Sequence, residues 1–156
     1  ETTFSFFFAG TVLLALLGPN LYLRLYTRIT PQRLYGSCLI IILVSGVLVA
    51  TVGWMSPWAF FLSFLWVPFA NSIARPAITA LLLEQHEGDA GTLSALINFG
   101  LYLLGLLGMV AASVAQGNYV LSLGVVIIVF ALLSLSIFLV LLRSKIPVKG
   151  LDTLPE

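Results

Sequence analysis

Leu39-Ile40-Ile41-Ile42-Leu43-Val44 is apolar on every side, and it lies within a longer apolar run from Leu34 to Met55. A strand crossing a bilayer needs only about 10 residues and alternates apolar with polar, whereas a spanning helix needs about 20. This run has the length of the helix and lacks the alternation. Four others match it: Phe4 to Leu23, Trp58 to Leu83, Thr92 to Ala115 and Tyr119 to Leu142. In hydrocarbon a helix satisfies all its backbone hydrogen bonds internally. The expected fold is an all-α, polytopic transmembrane bundle of five spans, with a tail over residues 143–156.

Composition agrees. Of 156 residues, 60% are apolar and 8% charged, and the mean hydropathy is +1.12. A water-facing domain carries about a quarter of its residues charged, so the outer surface must face lipid. The single cysteine, Cys38, can form no internal disulfide and reads as a small packing residue.

The net charge of +1 matters less than its distribution. Arg24, Arg28 and Arg33 lie between the first two spans, and Arg143, Lys145 and Lys149 follow the fifth. The connections at Ser56-Pro57 and Gln116-Gly117-Asn118 carry no basic residue. Short basic connections face the cytoplasm, which puts the C-terminus inside and Glu1 outside, in an inner (plasma) membrane. A span beginning at Phe4 with no preceding export signal leads us to expect that further spans precede this chain. Trp54, Trp58 and Tyr119 fit an outer aromatic belt, and Tyr22, Tyr26 and Tyr35 an inner one. Trp66, inside the third span, belongs to neither and reads as helix packing or as the wall of a cavity.

The third span is the least uniform, holding Pro68, Asn71, Ser72, Arg75, Pro76 and Thr79. Asn71 and Arg75 are four apart and share a helical face. Each proline removes a backbone donor, so a loosened or kinked helix is expected. Arg75 lies about 12 Å from the basic end at about 1.5 Å per residue. It either snorkels or pairs to hold the bundle, or it lines a cavity and holds an anionic or polar substrate group. Asp89 is placed to cap the fourth span, and His86, the only histidine, reads as a solvated loop residue or a proton relay. Asn98 and Tyr102 are one turn apart and read as packing or cavity lining; Gly105, and Gly108 with Ala112, read as close-packing positions. The second and fifth spans, nearly devoid of polar residues, read as outer helices. Arg24, Arg28 or Arg33 is expected to pair with Glu84, Glu87 or Asp89 across the cytoplasmic face.

From Asn71 to Gly105 the sequence resembles the major facilitator superfamily, and within it the Bcr/CflA-type drug–proton antiporters. The resemblance is carried by Pro76, by Glu84 at the end of that span, by Ala90-Gly91-Thr92-Leu93-Ser94-Ala95-Leu96, close to the family's Ala-Gly-Thr-Ala-Ser-Ala-Leu signature, and by Gly105. The arginines between 24 and 33 are similar to the family's basic loop between its eighth and ninth helices. The resemblance implies helices eight to twelve of a twelve-helix transporter, with the eighth, tenth and eleventh lining a central cavity. It differs at Leu101, where the family often has a polar residue; Asn98 stands three residues earlier. It also implies proton-coupled efflux of small amphipathic or cationic compounds, of the multidrug-resistance type. The implied partners are the bilayer, an N-terminal transporter half and a small-molecule substrate. A non-transporting scaffold or degenerate transporter fragment is the alternative. No enzymatic motif, metal-ligand spacing or cofactor loop occurs, and the basic clusters have the pattern of topology signals instead of a nucleic-acid surface.

Overall fold

A computed structural model describes residues 2–26, 28–84, 90–113 and 117–144. The described chain is helical, without strands, in the order α1 (Thr2–Tyr26), α2 (Pro31–Thr51), α3 (Pro57–Phe64), α4 (Trp66–Glu84), α5 (Ala90–Ser113) and α6 (Tyr119–Arg143). Five segments are long and apolar enough to cross a membrane: Ser5–Leu25, Pro31–Thr51, Pro57–Leu83, Gly91–Ala111 and Tyr119–Arg143. They coincide with the five expected spans, the third being α3 and α4 end to end.

Local chemistry sets the boundaries. Pro31 opens α2, where its fixed φ suits the first turn and its missing N–H is not needed. Ser56 precedes Pro57 and accepts from the Ala59 N–H at 3.1 Å, and Asn118 accepts from the Leu121 N–H at 3.2 Å. Just before Asn118, Gly117 turns the chain at φ +113°, a region that disfavours any side chain. The break at Leu65 follows from Pro68, which cannot donate to the carbonyl of Phe64 and crowds it. A neighbouring carbonyl, that of Ser63, accepts a hydrogen bond from the buried Ser45 hydroxyl of α2. Pro76 leaves α4 unbroken.

Two seams hold the bundle, and both are built on small residues. In the first, α1 lies along the third span. A Cβ at Gly18 would sit 1.9 Å from the Ser72 hydroxyl, and one at Gly10 would meet the Phe61 ring at 3.0 Å. Phe7 stacks on Phe61 at 4.5 Å and meets Trp58 edge-on at 4.9 Å. Ala70, Ile73, Ala74 and Ala77 turn the inner face of α4 toward Tyr22 of α1 and toward Leu34 and Cys38 of α2. In the second seam, α2 and α6 make the most extensive helix contact in the structure. A Cβ at Gly124 would lie 2.6 Å from the backbone nitrogen of Ala50, and one at Gly46 2.8 Å from Ile127.

These seams revise the expected roles. α2 is no outer helix: it packs on α3, α4 and α6 and buries Leu34, Cys38, Leu39, Ser45, Gly46 and Val49. α5 is the least packed, with none of its apolar window buried. Lipid tails are as apolar as leucine, so a scarcity of polar residues does not by itself place a helix on the outside; small residues that admit a neighbouring backbone can bring it in. Tyr22, expected at the interface, is 8% exposed and sits in the core. Trp54, Trp58 and Tyr119 do remain exposed at the end opposite the arginines, and the Trp54 indole donates to the Thr51 carbonyl at 2.7 Å.

Two glycine substitutions should therefore move stability in opposite directions. Gly124→Ala drives a methyl into the backbone of α2 and should cost about 1–3 kcal/mol. Gly105→Ala meets nothing within 4 Å and should gain about 0.5–1 kcal/mol from helix propensity. Reversible unfolding of the purified variants in mixed micelles reads both; equal effects would remove the α2–α6 seam as described.

Candidate functional site: a polar groove beside α4

The two faces of α4 differ. Its inner face is the alanine-rich surface packed on α1 and α2. Its outer face carries Asn71, Arg75 and Thr79 at intervals of four residues, so they stand one above another. Pro19 of α1 joins Pro68, Asn71, Ser72, Arg75, Pro76, Thr79, Ala80 and Leu83 in lining one open groove of about 690 Å³. Ser72, which closes on Gly18 of α1, is one of these lining residues.

Within the groove some polar groups are already engaged. The Ser72 hydroxyl donates to the Phe69 carbonyl at 2.7 Å, and the Thr79 hydroxyl to the Arg75 carbonyl at 2.9 Å. Pro76 supplies no N–H to the carbonyl of Ser72, so that oxygen also lacks its usual helical donor. The Asn71 and Arg75 side chains are exposed, and among the described residues neither makes a hydrogen bond or ion pair. Residues 2–83 contain no aspartate or glutamate. Arg75 is the only charge between Ser56 and Leu83, so no carboxylate of the neighbouring spans α1, α2 and α3 can neutralise it.

Across the α1–α4 seam lies a second groove of about 640 Å³, lined by Leu14, Leu17, Asn20, Leu21, Leu23, Arg24 and Phe69. Asn20 and Arg24 are four apart and share a face. Sequence reading passed over Asn20, although Gly18-Pro19-Asn20 is a small, helix-weakening and polar island inside an apolar run, the same signal that marks the third span.

The remaining expected residues do not join this groove. Trp66 faces away from it, in a separate apolar groove of about 280 Å³ with Ile40, Ile41, Val44, Ser45 and Leu48, and it meets Phe69 edge-on at 6.1 Å. Asn98 and Tyr102 lie on α5, exposed; the Asn98 amide donates to the Ser94 carbonyl of its own helix at 3.0 Å. Gly105 and Gly108 have no neighbour within 4 Å of a Cβ position, so the intimate contacts of this chain are made at Gly18, Gly46 and Gly124 instead. Arg28 and Arg33 are exposed at the same end as Arg24. The Glu84 side chain, with Glu87 and Asp89, lies outside the described residues, and so do the ion pairs expected of them and the cap expected of Asp89.

Chemically, the groove offers a guanidinium with five fixed N–H donors, a carboxamide that both donates and accepts, and walls of proline, alanine and leucine. It can hold the polar group of an amphipathic molecule. No protein-family model, curated protein or solved structure matches the chain.

Accessibility gives a direct check on the two faces of α4. Asn71→Cys and Thr79→Cys should react with a membrane-impermeant maleimide, while Ala70→Cys and Ala77→Cys, at positions 0% and 2% exposed, should not. Native Cys38 is 3% exposed and should give little background. Equal labelling of both pairs would place the groove elsewhere.

Proposed function

We propose that this chain is part of a multi-pass membrane transporter, and that its substrate passes along the groove of Asn71, Arg75 and Thr79. The observation that carries the proposal is the pairing of that groove with a broken, proline-bearing span. Uncompensated polar groups and irregular helices are costly in lipid and occur where they line a path or a cavity. Substrate sites of secondary transporters lie near the bilayer midplane, between bundles that rock against each other.

The finer reading rests on the resemblance at Pro76, Glu84 and Ala90 to Leu96. It makes the chain helices eight to twelve of a drug–proton antiporter exporting small amphipathic compounds, cationic ones included. The exposed length of α5 would then meet the N-terminal half. The basic end would face the cytoplasm of an inner (plasma) membrane, with the first span entering from outside.

Expression of the full-length protein in a host lacking its own exporters should lower dye accumulation, and a protonophore should restore it. Asn71→Ala should cut the initial efflux rate several-fold with surface expression unchanged. Accumulation identical to that of the empty host would end the transport reading. A reporter fused after Arg143 should be active in the cytoplasmic orientation only.

A further inference from the structure

We infer that the groove beside α4 binds the anionic group of a small amphipathic molecule, a carboxylate or phosphate, through Arg75 and Asn71. The inference rests on the transporter reading for its biological setting, but it fixes a property that reading leaves open. The drug-antiporter resemblance extends to cations, and the charge at this groove selects against them.

The argument is one of charge complementarity. Arg75 stands on the outer face of α4, exposed to the groove. The chain has six carboxylates, at Glu1, Glu84, Glu87, Asp89, Asp152 and Glu156, and none falls within the sequence of the five spans found among the described residues. Glu84 is nine residues farther along the same helix, about 13 Å at about 1.5 Å per residue, beyond direct pairing. A guanidinium within a spanning helix is costly unless it snorkels to the interface or an anion compensates it, and an anion seated in the groove would do the second. The groove also has the apolar surface that such a ligand needs, in Pro19, Pro68, Ala80 and Leu83.

Geometry favours an anion that presents two oxygens along one edge. The guanidinium presents parallel N–H donors that match a carboxylate or phosphate edge. Asn71, one turn away on the same face, adds an N–H donor on the side of Arg75 toward the membrane interior. The Thr79 hydroxyl, one turn in the other direction, is committed to the Arg75 carbonyl, which leaves Asn71 as the second contact. A cationic ligand would find no acidic partner in the lining and one fixed positive charge against it.

The test uses the full-length protein in phosphatidylcholine nanodiscs with three probes of one shape: naphthylacetate, naphthylacetamide and naphthylethylamine, which are anionic, neutral and cationic. The acetate should bind about tenfold tighter than the amide, as expected of one charge-assisted pair, with the amine weakest. Arg75→Gln should erase the preference, Arg75→Lys should keep part of it, and Arg75→Glu should reverse it toward the amine. Asn71→Asp, which leaves Arg75 in place but sets a carboxylate one turn away, should also erase it, so the outcome does not hinge on one variant folding. No charge preference, a preference for the amine, or an acetate preference that survives Arg75→Gln would each overturn the inference. Loss of acetate binding when phosphatidylglycerol replaces phosphatidylcholine would overturn it too, by giving the site to a lipid headgroup. Uptake of the same probes into proteoliposomes is scored separately. Arg75-dependent binding without uptake removes the transporter and keeps the anion site, and uptake blind to probe charge does the reverse.

Discussion

Hydrocarbon offers no hydrogen bonds and no hydrophobic reward for bringing helices together, and that constraint governs this structure. Each span must satisfy its own backbone, and two spans attract each other only as far as their surfaces can approach. The seams accordingly form where side chains are smallest. Gly18 admits Ser72, and Gly46 and Ala50 admit Ile127 and Gly124. The alanines of α4 let α1 and α2 close on it from two sides.

The same constraint explains what could be read from the sequence. Apolar length alone located the spans, because a helix must match the thickness of the bilayer whatever it packs against. A loosened third span was readable from its prolines, although only Pro68 coincides with a break and Pro76 leaves α4 continuous. The four-residue spacing of Asn71 and Arg75 gave part of the polar face, while Thr79, seven residues from Ser72, reads as belonging to a neighbouring one. Helix neighbours were less legible. Scarcity of polar residues on α2 pointed outward, yet its shape places it at the centre. Gly105 and Gly108 looked like packing positions as much as Gly46 and Gly124 do, because a glycine shows that close approach is permitted without naming the helix that makes it. Asn20 is not legible in the same way, since one amide in a long apolar run carries little weight until Arg24, four residues on, stands on the wall of the same groove.

The polar groove and the tight seam belong to one helix and depend on each other. α4 can present Asn71 and Arg75 on one side because Ala70, Ala74 and Ala77 anchor it on the other. Its prolines remove backbone donors along the same length, and the Ser45 hydroxyl of α2 reaches across to a carbonyl beside the break. A side chain from the central helix thus supports the interrupted backbone at the place where α3 gives way to α4.

The union of α2 with α6 also bears on how the bundle assembles during synthesis. These helices are separated along the chain by the whole of α3, α4 and α5, so their contact is among the longest-range in the structure. While the ribosome is still making the intervening spans, Gly46 and Ala50 present an open notch to the lipid. α1, α2 and α4 can associate as soon as α4 is inserted, but the notch closes only when α6 arrives. Until then the half-made bundle offers a small-residue surface that any passing helix can enter, and the correct partner is the last described span to be delivered.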